Sequence, residues 1–172
     1  MANLKRNLIA VCVATMTMAG VARGDQPADP TPVSSDAGKY FDRDGRPTYK
    51  VDKDGKVDFY SYNGFVRYAA NCMQCHGPDG LGSSYAPSLV NSLKTLDYAD
   101  VLTTVANGKK EVSEAKQLVM PSLGEDKNVM CYIDSIYIYL RARSDGAIPR
   151  GRPGDHEPKP EGFSETVNSC MD

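Results

Sequence analysis

The sequence predicts a mainly α-helical domain that is preceded by a small β-meander and followed by an extended tail. Helical periodicity begins at Ser61 and recurs in three segments before residue 145. Two similar stretches, 41–49 and 51–59, each place a D-basic-D-G-basic turn between an apolar residue and an aromatic one. Residues 146–172 are rich in proline, glycine and charge, which favours an extended chain over a packed helix.

The N-terminal 24 residues have the pattern of an export signal. Lys5 and Arg6 form a positive start, residues 8–18 are apolar but too short to span a bilayer, and Ala22-Arg23-Gly24 offers a small-x-small cleavage site. Cleavage after Gly24 would leave about 148 residues, enough for one domain. No later segment approaches the ~20 apolar residues of a membrane span. We therefore expect an exported protein without a membrane span.

The charge balance argues against nucleic acid as a partner. Removal of Lys5, Arg6 and Arg23 with the signal leaves 17 basic against 22 acidic side chains, so the formal net charge changes from −2 to −5. A nucleic-acid-binding protein would need a basic surface. The balance fits a soluble protein that meets partners through local charge patches, and it fits simple solubility equally well.

Residues 25–38 contain several prolines among small polar residues and predict a flexible linker. Residues 39–60 predict the meander. For its second turn, a three-residue loop with Gly55 in the left-handed conformation sets Val51 opposite Val57. A two-residue loop would place Val51 against Asp58 and scatter the apolar face. The three-residue loop is therefore favoured.

Residues 61–145 predict the helical domain. Ser61 or Asn63 can cap a first helix through Asn71, in which Gly64, Tyr68 and Cys72 recur every four residues on one face. A glycine on that face would let another helix approach closely.

Two further helices follow. Asp97, with Asp100 three residues later, can cap a helix that stops at Asn107-Gly108. The last helix, 129–143, places apolar side chains on one face and ends in arginines, which are favourable near a helix C-terminus.

The run Cys72-Met73-Gln74-Cys75-His76 is a C-x-x-C-H pattern, which is typical of a covalent c-type haem attachment site. On a helix the two cysteines share a face, so both thiols can reach the vinyl groups of one porphyrin while His76 ligates the iron. A thioredoxin-like dithiol expects a strand before the pair, whereas a helix is predicted here. A zinc site would need further ligands from distant parts of the chain. The spacing therefore favours one haem c.

The other side of the iron needs a second ligand unless the site is open. Met120 lies in a loop without a helical pattern, where Pro121 removes a backbone donor and fixes φ, so it is our candidate. Met130, at the start of the predicted last helix, is more typical of a core methionine. His156 lies between two acidic residues of the tail and is expected to be solvated. An open iron, suited to gas binding or peroxidase chemistry, is the alternative.

Four cysteines follow Gly24, in a protein whose export predicts paired or occupied thiols. With Cys72 and Cys75 bound to haem, Cys131 and Cys170 remain, and this even remainder predicts a disulfide. A buried free Cys131 beside a frayed tail is the alternative.

On these residues the chain resembles the class I c-type cytochromes, whose fold is three to five short helices around one haem. Gly64 and Tyr68 match the family's glycine and aromatic eight and four residues before the first haem cysteine. The resemblance implies that the carbonyl of Pro87, in A-P-S-L, accepts a hydrogen bond from His76. It also implies that Met120-Pro121 is the axial methionine loop and that the last helix crosses the first.

The resemblance narrows to the four-cysteine, methanol-metabolism-related periplasmic cytochromes of methylotrophic bacteria. It runs from Tyr49 to Arg152 and includes the segments C-x-x-C-H-G-P-D-G-L-G-S-S-Y-A-P-S-L, N-V-M-C-Y and R-G-R-P. It implies a monohaem electron carrier, not an enzyme. The implied donor is a periplasmic quinoprotein methanol or alcohol dehydrogenase, or a related C1 oxidation step, and the implied acceptor is another cytochrome or a terminal oxidase.

A haem subunit of a dehydrogenase complex and an open-site haem enzyme or sensor are the alternative functions. Lys109, Lys110 and Arg67 are candidates for neutralising haem propionates or for meeting an acidic partner. The same side chains are equally typical of solvated surface charges.

Overall fold

A computed structural model describes residues 29–112 and 117–172. The predicted export signal and residues 25–28 lie outside this range. Three short strands form an antiparallel sheet in the order β1-β2-β3; they are Ser34–Asp36 (β1), Lys39–Phe41 (β2) and Pro47–Thr48 (β3). The helices are Phe59–Asn71 (α1), Met73–His76 (α2), Leu89–Ser92 (α3), Tyr98–Asn107 (α4), Lys127–Met130 (α5), Ile133–Ser144 (α6) and Phe163–Met171 (α7).

The second turn of the meander has the predicted three-residue loop. Val51 and Val57 form an antiparallel bridge, and the Asp52 N–H donates to the Lys56 carbonyl at 2.8 Å. Gly55 has a φ of 85°, the left-handed conformation in which a glycine carries no Cβ penalty. The predicted register is therefore confirmed.

Two N-terminal boundaries differ from the prediction. Part of the predicted linker, Ser34–Asp36, is an edge strand, because the tight turn at Ala37-Gly38 folds it back onto β2. The first helix begins at Phe59 instead of after Ser61. Its N-cap is Asp58, whose carboxylate accepts the Ser61 N–H at 2.8 Å and the Ser61 hydroxyl at 2.6 Å.

The capping box of α4 is present as predicted, with Asp97 and Asp100 each accepting the other's backbone N–H. The predicted last helix is divided into α5 and α6, because Tyr132 adopts a non-helical conformation with φ −123° and ψ 11°. None of the helices in the described part of the chain combines the length and the apolar composition that a membrane span requires.

The core lies where α6 crosses α1, as the resemblance implied. Tyr68, Ile136, Tyr139 and Leu140 are its central side chains. The other faces of α6 are buried as well, because α3, α4 and the meander strand β3 also contact this helix. Beside the meander, the Arg141 guanidinium donates to the Asp42 carboxylate and the Pro47 carbonyl.

The tail is not extended throughout, which corrects the prediction for 146–172. His156 forms a parallel bridge with Val57, and Phe163 packs edge-on against Phe59 with ring centroids 4.8 Å apart. The helix α7 then brings Cys170 to Cys131, and the two form the predicted disulfide. Helix α7 has its apolar Val167 buried, so packing against the domain stabilises a segment whose local composition does not predict a helix.

Candidate haem site

The end of α1 presents the C-x-x-C-H run. Cys72 caps the C-terminus of α1, and its N–H donates to the Tyr68 carbonyl. The single turn α2 follows and carries Cys75 and His76. Both cysteines are free thiols, one half-buried and the other exposed. A helix precedes the pair, as predicted, and not the strand expected of a thioredoxin-like protein.

The imidazole of His76 is buried and oriented by the chain. Its Nδ1 lies 3.0 Å from the Pro87 carbonyl oxygen, a group that can only accept a hydrogen bond. Nδ1 therefore carries the proton, and the Nε2 lone pair remains available to a metal. This is the hydrogen bond that the resemblance assigned to Pro87.

A buried tyrosine of α1, Tyr68, makes hydrogen bonds to the loop that follows His76. The Tyr68 hydroxyl donates to the Gly77 carbonyl at 2.5 Å and accepts the Gly80 N–H at 3.1 Å. The Gly82 N–H donates to the His76 carbonyl at 2.8 Å. The sequence identified Tyr68 only as an aromatic residue on the helix face, and the hydroxyl adds a positioning role.

The same loop is held from the tail side through Asp79, which sequence reasoning missed. Asp79 is buried in the left-handed conformation with φ 61°. Its carboxylate accepts Arg150 Nε at 3.0 Å and the Gly151 N–H at 2.8 Å. Burial opposes its ionisation, but these two hydrogen bonds, together with the charges of Arg143 and Arg150, outweigh burial and lower the pKa of Asp79. The sequence does set Asp79 apart, because it is the only Asp, Glu, Lys or Arg among residues 68–93.

Met120 lies at the end of a β-hairpin, where the sequence predicted only an irregular loop. The strands Lys109–Val112 (β4) and Gln117–Met120 (β5) pair with Met120 opposite Lys109. After Pro121 the chain is fastened to the end of α4, where the Ser122 hydroxyl donates to the Ala106 carbonyl at 2.5 Å. Met120 is half-buried. Met120 therefore lies in a segment that is held on one side by pairing with β4 and on the other by the hydrogen bond to the end of α4.

The other ligands that the sequence considered have different surroundings. Met130 packs against the hydrophobic core. The His156 ring stacks on Tyr62 with ring centroids 3.8 Å apart, and its Nδ1 lies 2.7 Å from the Glu157 carbonyl. Arg67, which the sequence offered as a candidate for neutralising a haem propionate and not as a ligand, places its guanidinium 3.4 Å from the centroid of the Tyr132 ring, a cation–π contact.

The donor set fits haem better than zinc or a redox dithiol. Burial, and less so the charge of Cys75, raises the pKa of the Cys72 thiol to about 11, whereas the nucleophilic cysteine of a catalytic dithiol has a lowered pKa. Within residues 29–112 and 117–172, no three His, Cys, Asp or Glu side chains are grouped so that they could hold a metal ion. Two free thiols beside one oriented imidazole are the groups that covalent haem attachment requires.

Known proteins with similar sequences and structures are cytochromes. Residues 62–140 match the family described as cytochrome c oxidase, cbb3-type, subunit III. The chain is 48% identical over 143 residues to cytochrome c-553I of Paracoccus denitrificans, a match that covers 83% of this chain. It spans 63% of the length of that relative. It is 38% identical to cytochrome c-555 of Methylococcus capsulatus, over 55% of this chain and 72% of the relative.

A solved structure has the same fold. The crystal structure of the c-type cytochrome XoxG from Methylobacterium extorquens AM1 superimposes with a TM-score of 0.76 and 45% sequence identity. The match covers 86% of this chain and 94% of XoxG. This match is longer than the helical domain 61–145, so it also includes part of the chain outside that domain.

Proposed function

The chain belongs to the class I c-type cytochromes, and from that membership we propose that it carries single electrons in the periplasm. The proposed donor is a quinoprotein methanol or alcohol dehydrogenase, or a related C1 oxidation step. The proposed acceptor is another cytochrome or a terminal oxidase. The observation that carries the proposal is the fixed imidazole of His76, whose Nδ1 is held 3.0 Å from the Pro87 carbonyl.

Members of the family hold one haem c covalently, and this haem supplies one-electron chemistry through the ferric and ferrous states of its iron. In this chain Cys72 and Cys75 would form the two thioether bonds. His76 and Met120 would ligate the iron, and the hydrogen bonds around both segments would keep these side chains in place in either oxidation state. A ligand pair that does not change during electron transfer favours a carrier over a catalyst that must open the iron to a substrate.

The periplasmic location is supported by chemistry as well as by the N-terminal sequence. Residues 1–24 have the pattern of an export signal. Cys131 and Cys170 form a disulfide, a bond that persists in oxidising compartments and is rare in the cytosol.

The donor is tested by mixing the oxidised, haem-loaded protein with a purified quinoprotein methanol dehydrogenase and methanol. We expect the haem absorbance to change from ferric to ferrous, with no change when methanol is omitted or when an NAD-dependent alcohol dehydrogenase replaces the quinoprotein. A protein that dithionite reduces fully but the quinoprotein does not would contradict the proposed donor.

Size-exclusion chromatography of the native protein tests the alternative that the chain is a haem subunit of a dehydrogenase complex. That alternative predicts co-elution with a dehydrogenase at physiological salt.

A further inference from the structure

We infer that the ion pair between Asp79 and Arg150 is a positioning element of the haem site, through which the C-terminal tail sets the reduction potential of the iron. We call residues 77–82 the proximal loop. Neither Asp79 nor Arg150 is a proposed iron ligand, so both would act through His76 and through their charges. The inference rests on the proposed electron-carrier function, because the reduction potential decides with which partners a carrier can exchange electrons.

The proximal loop supports both His76 and the group that orients its imidazole. The loop follows His76 directly and returns to it, since the Gly82 N–H donates to the His76 carbonyl at 2.8 Å. The Pro87 carbonyl lies 3.0 Å from His76 Nδ1, and the hydroxyl of the next residue, Ser88, donates to the Gly80 carbonyl at 3.2 Å. A shift of the loop would therefore move the histidine and its hydrogen-bond acceptor together.

Asp79 lies in the middle of the proximal loop, in a backbone conformation that needs support. Its φ of 61° is in the left-handed region, which is uncommon for residues other than glycine. Such a conformation persists where the surrounding structure imposes it. The tail supplies this support, because Arg150 Nε and the Gly151 N–H donate to the Asp79 carboxylate at 3.0 Å and 2.8 Å. The tail thus holds the loop that holds His76.

The same ion pair places charges near the haem site. The Asp79 side chain is 9% exposed, so water screens its carboxylate weakly. Arg150 neutralises this carboxylate, and the charge of Arg143 acts on it as well. Ferric haem carries one positive charge more than ferrous haem, so a nearby negative charge favours the ferric state and a nearby positive charge the ferrous state. Loss of the carboxylate should therefore raise the potential, and loss of the Arg150 guanidinium should lower it.

A purely structural role of the pair is the competing hypothesis. The pair would then only fasten the tail, as Lys50 of the meander does through its ion pair with Glu157 at 2.9 Å. Removal of either partner would loosen the same contact, so Asp79→Asn and Arg150→Gln would shift the potential in the same direction or not at all. The inferred role predicts shifts of opposite sign, which a structural role does not produce.

Equilibrium redox titration of the full haem-loaded protein, against a soluble one-electron mediator of known potential, measures these shifts without a protein partner. We expect Asp79→Asn to change the equilibrium constant by about three- to tenfold toward the ferrous form. Arg150→Gln should change it by about threefold toward the ferric form, less than Asp79→Asn because the Arg150 side chain is 70% exposed and screened by water. Arg150→Lys keeps the charge and should remain within about 1.5-fold of the wild type. The matched control, also within about 1.5-fold, is Glu157→Gln, which removes a carboxylate from an ion pair of the tail that does not reach the proximal loop.

Proton NMR of the ferric protein tests the positioning of His76, because the paramagnetic shifts of the haem methyl groups depend on the orientation of the axial imidazole. We expect Asp79→Asn to change these shifts and Glu157→Gln to leave them unchanged. Potential shifts of the same sign for Asp79→Asn and Arg150→Gln, or potentials equal to that of the wild type, would overturn the inference. If Asp79→Asn does not fold, Arg150→Gln decides alone, since its side chain is largely exposed, and an unchanged potential would overturn the inference.

The same titration separates this inference from the proposed function. A wild-type protein without a reversible one-electron reduction would overturn the carrier function and this inference with it. A wild type that is reduced reversibly, beside variants with unchanged potentials, would overturn the inference alone. Failure of methanol dehydrogenase to reduce the protein contradicts only the proposed donor, because the titration does not use that enzyme.

Discussion

Gly64 of α1 lies directly against the backbone carbonyl of Ser135 in α6. A Cβ built on Gly64 would lie 1.9 Å from the Ser135 oxygen and 2.7 Å from the Tyr139 Cβ, both too close for any real contact. The absence of a side chain therefore lets α1 and α6 cross backbone to backbone. This crossing sets the direction of α1 and, through it, the position of the haem attachment run.

The variant Gly64→Ala is expected to lower the free energy of unfolding by about 1 to 3 kcal/mol, because the methyl group must push the two helices apart. Urea unfolding of the haem-loaded protein measures the loss. The control is Gly154→Ala, since a Cβ at Gly154 meets nothing within 4 Å. Equal stability of the two variants would show that the crossing adapts without strain.

The variant Tyr68→Phe removes the hydroxyl that bridges the Gly77 carbonyl and the Gly80 N–H. Leaving these groups without a partner in a buried site should cost about 1 to 3 kcal/mol. Denaturant unfolding measures this loss. The control is Tyr85→Phe, whose ring is 73% exposed, and its unfolding midpoint should match that of the wild type. Equal midpoints for both variants would contradict the bridging role.

Features with a local signature could be predicted from the sequence. The haem run, the spacing of Gly64 and Tyr68, the Asp97 capping box and the left-handed Gly55 each depend on residues a few positions apart. The start of α1 was misjudged for a physical reason. The Asp58 carboxylate accepts both the Lys50 N–H of the meander and the Ser61 N–H of the helix, whereas the sequence placed Asp58 only within the meander, 39–60.

Features that depend on distant residues could not be predicted. Asp79 and Arg150 are 71 positions apart, and Asp42 and Arg141 are 99 apart, so neither ion pair has a spacing that identifies it. Helix α7 depends on packing and on the disulfide to Cys131, not on its own composition. The hairpin before Met120 was missed because its strands are short and largely exposed, so apolar alternation is weak.

The ion pair between Asp42 and Arg141 should make stability depend on pH. Burial opposes the ionisation of Asp42, but the hydrogen bonds from the Arg46 backbone and from Arg141, together with the charges of these two arginines, outweigh burial and lower the pKa of Asp42. A carboxyl group with a lowered pKa stabilises the fold above its unfolded pKa and loses that contribution as the pH falls through the folded value. We therefore expect the free energy of unfolding to fall as the pH is lowered below about 5.

The variant Asp42→Asn should lose about 3 to 5 kcal/mol at pH 7, because Arg141 would remain buried without its carboxylate. Its stability should also decline less steeply with acid than that of the wild type. Asp52→Asn is the matched control, since Asp52 holds the same position in the second turn but its side chain is 43% exposed. Parallel pH curves for Asp42→Asn and the wild type would exclude Asp42 as the source of the acid sensitivity.

The disulfide between Cys131 and Cys170 closes a loop with a sequence separation of 39 residues. On the chain-entropy model such a loop contributes about 4 kcal/mol. The double variant Cys131→Ser/Cys170→Ser should lose this amount in urea unfolding, and a reducing agent should lower the wild type to the same level. The reductant should have no further effect on the double variant. A wild type that is insensitive to reduction would show that packing of α7 alone holds the tail.

The proposed ligation of iron by Met120 can be separated from a packing role because the chain offers Met130 as a matched methionine. Met130 packs against the core, whereas Met120 ends β5 in the hairpin fastened to α4. Met120→Ala should convert the ferric haem to a high-spin spectrum and let the ferrous form bind carbon monoxide, because the iron would lose one of its two proposed ligands. Met130→Ala should instead lower the free energy of unfolding by about 2 to 5 kcal/mol and leave the haem spectrum unchanged, because it removes buried apolar contacts.

A Met120→Ala protein that keeps a low-spin spectrum and excludes carbon monoxide would require another ligand. A wild-type protein that binds carbon monoxide readily would instead favour an open-site haem enzyme or sensor over an electron carrier.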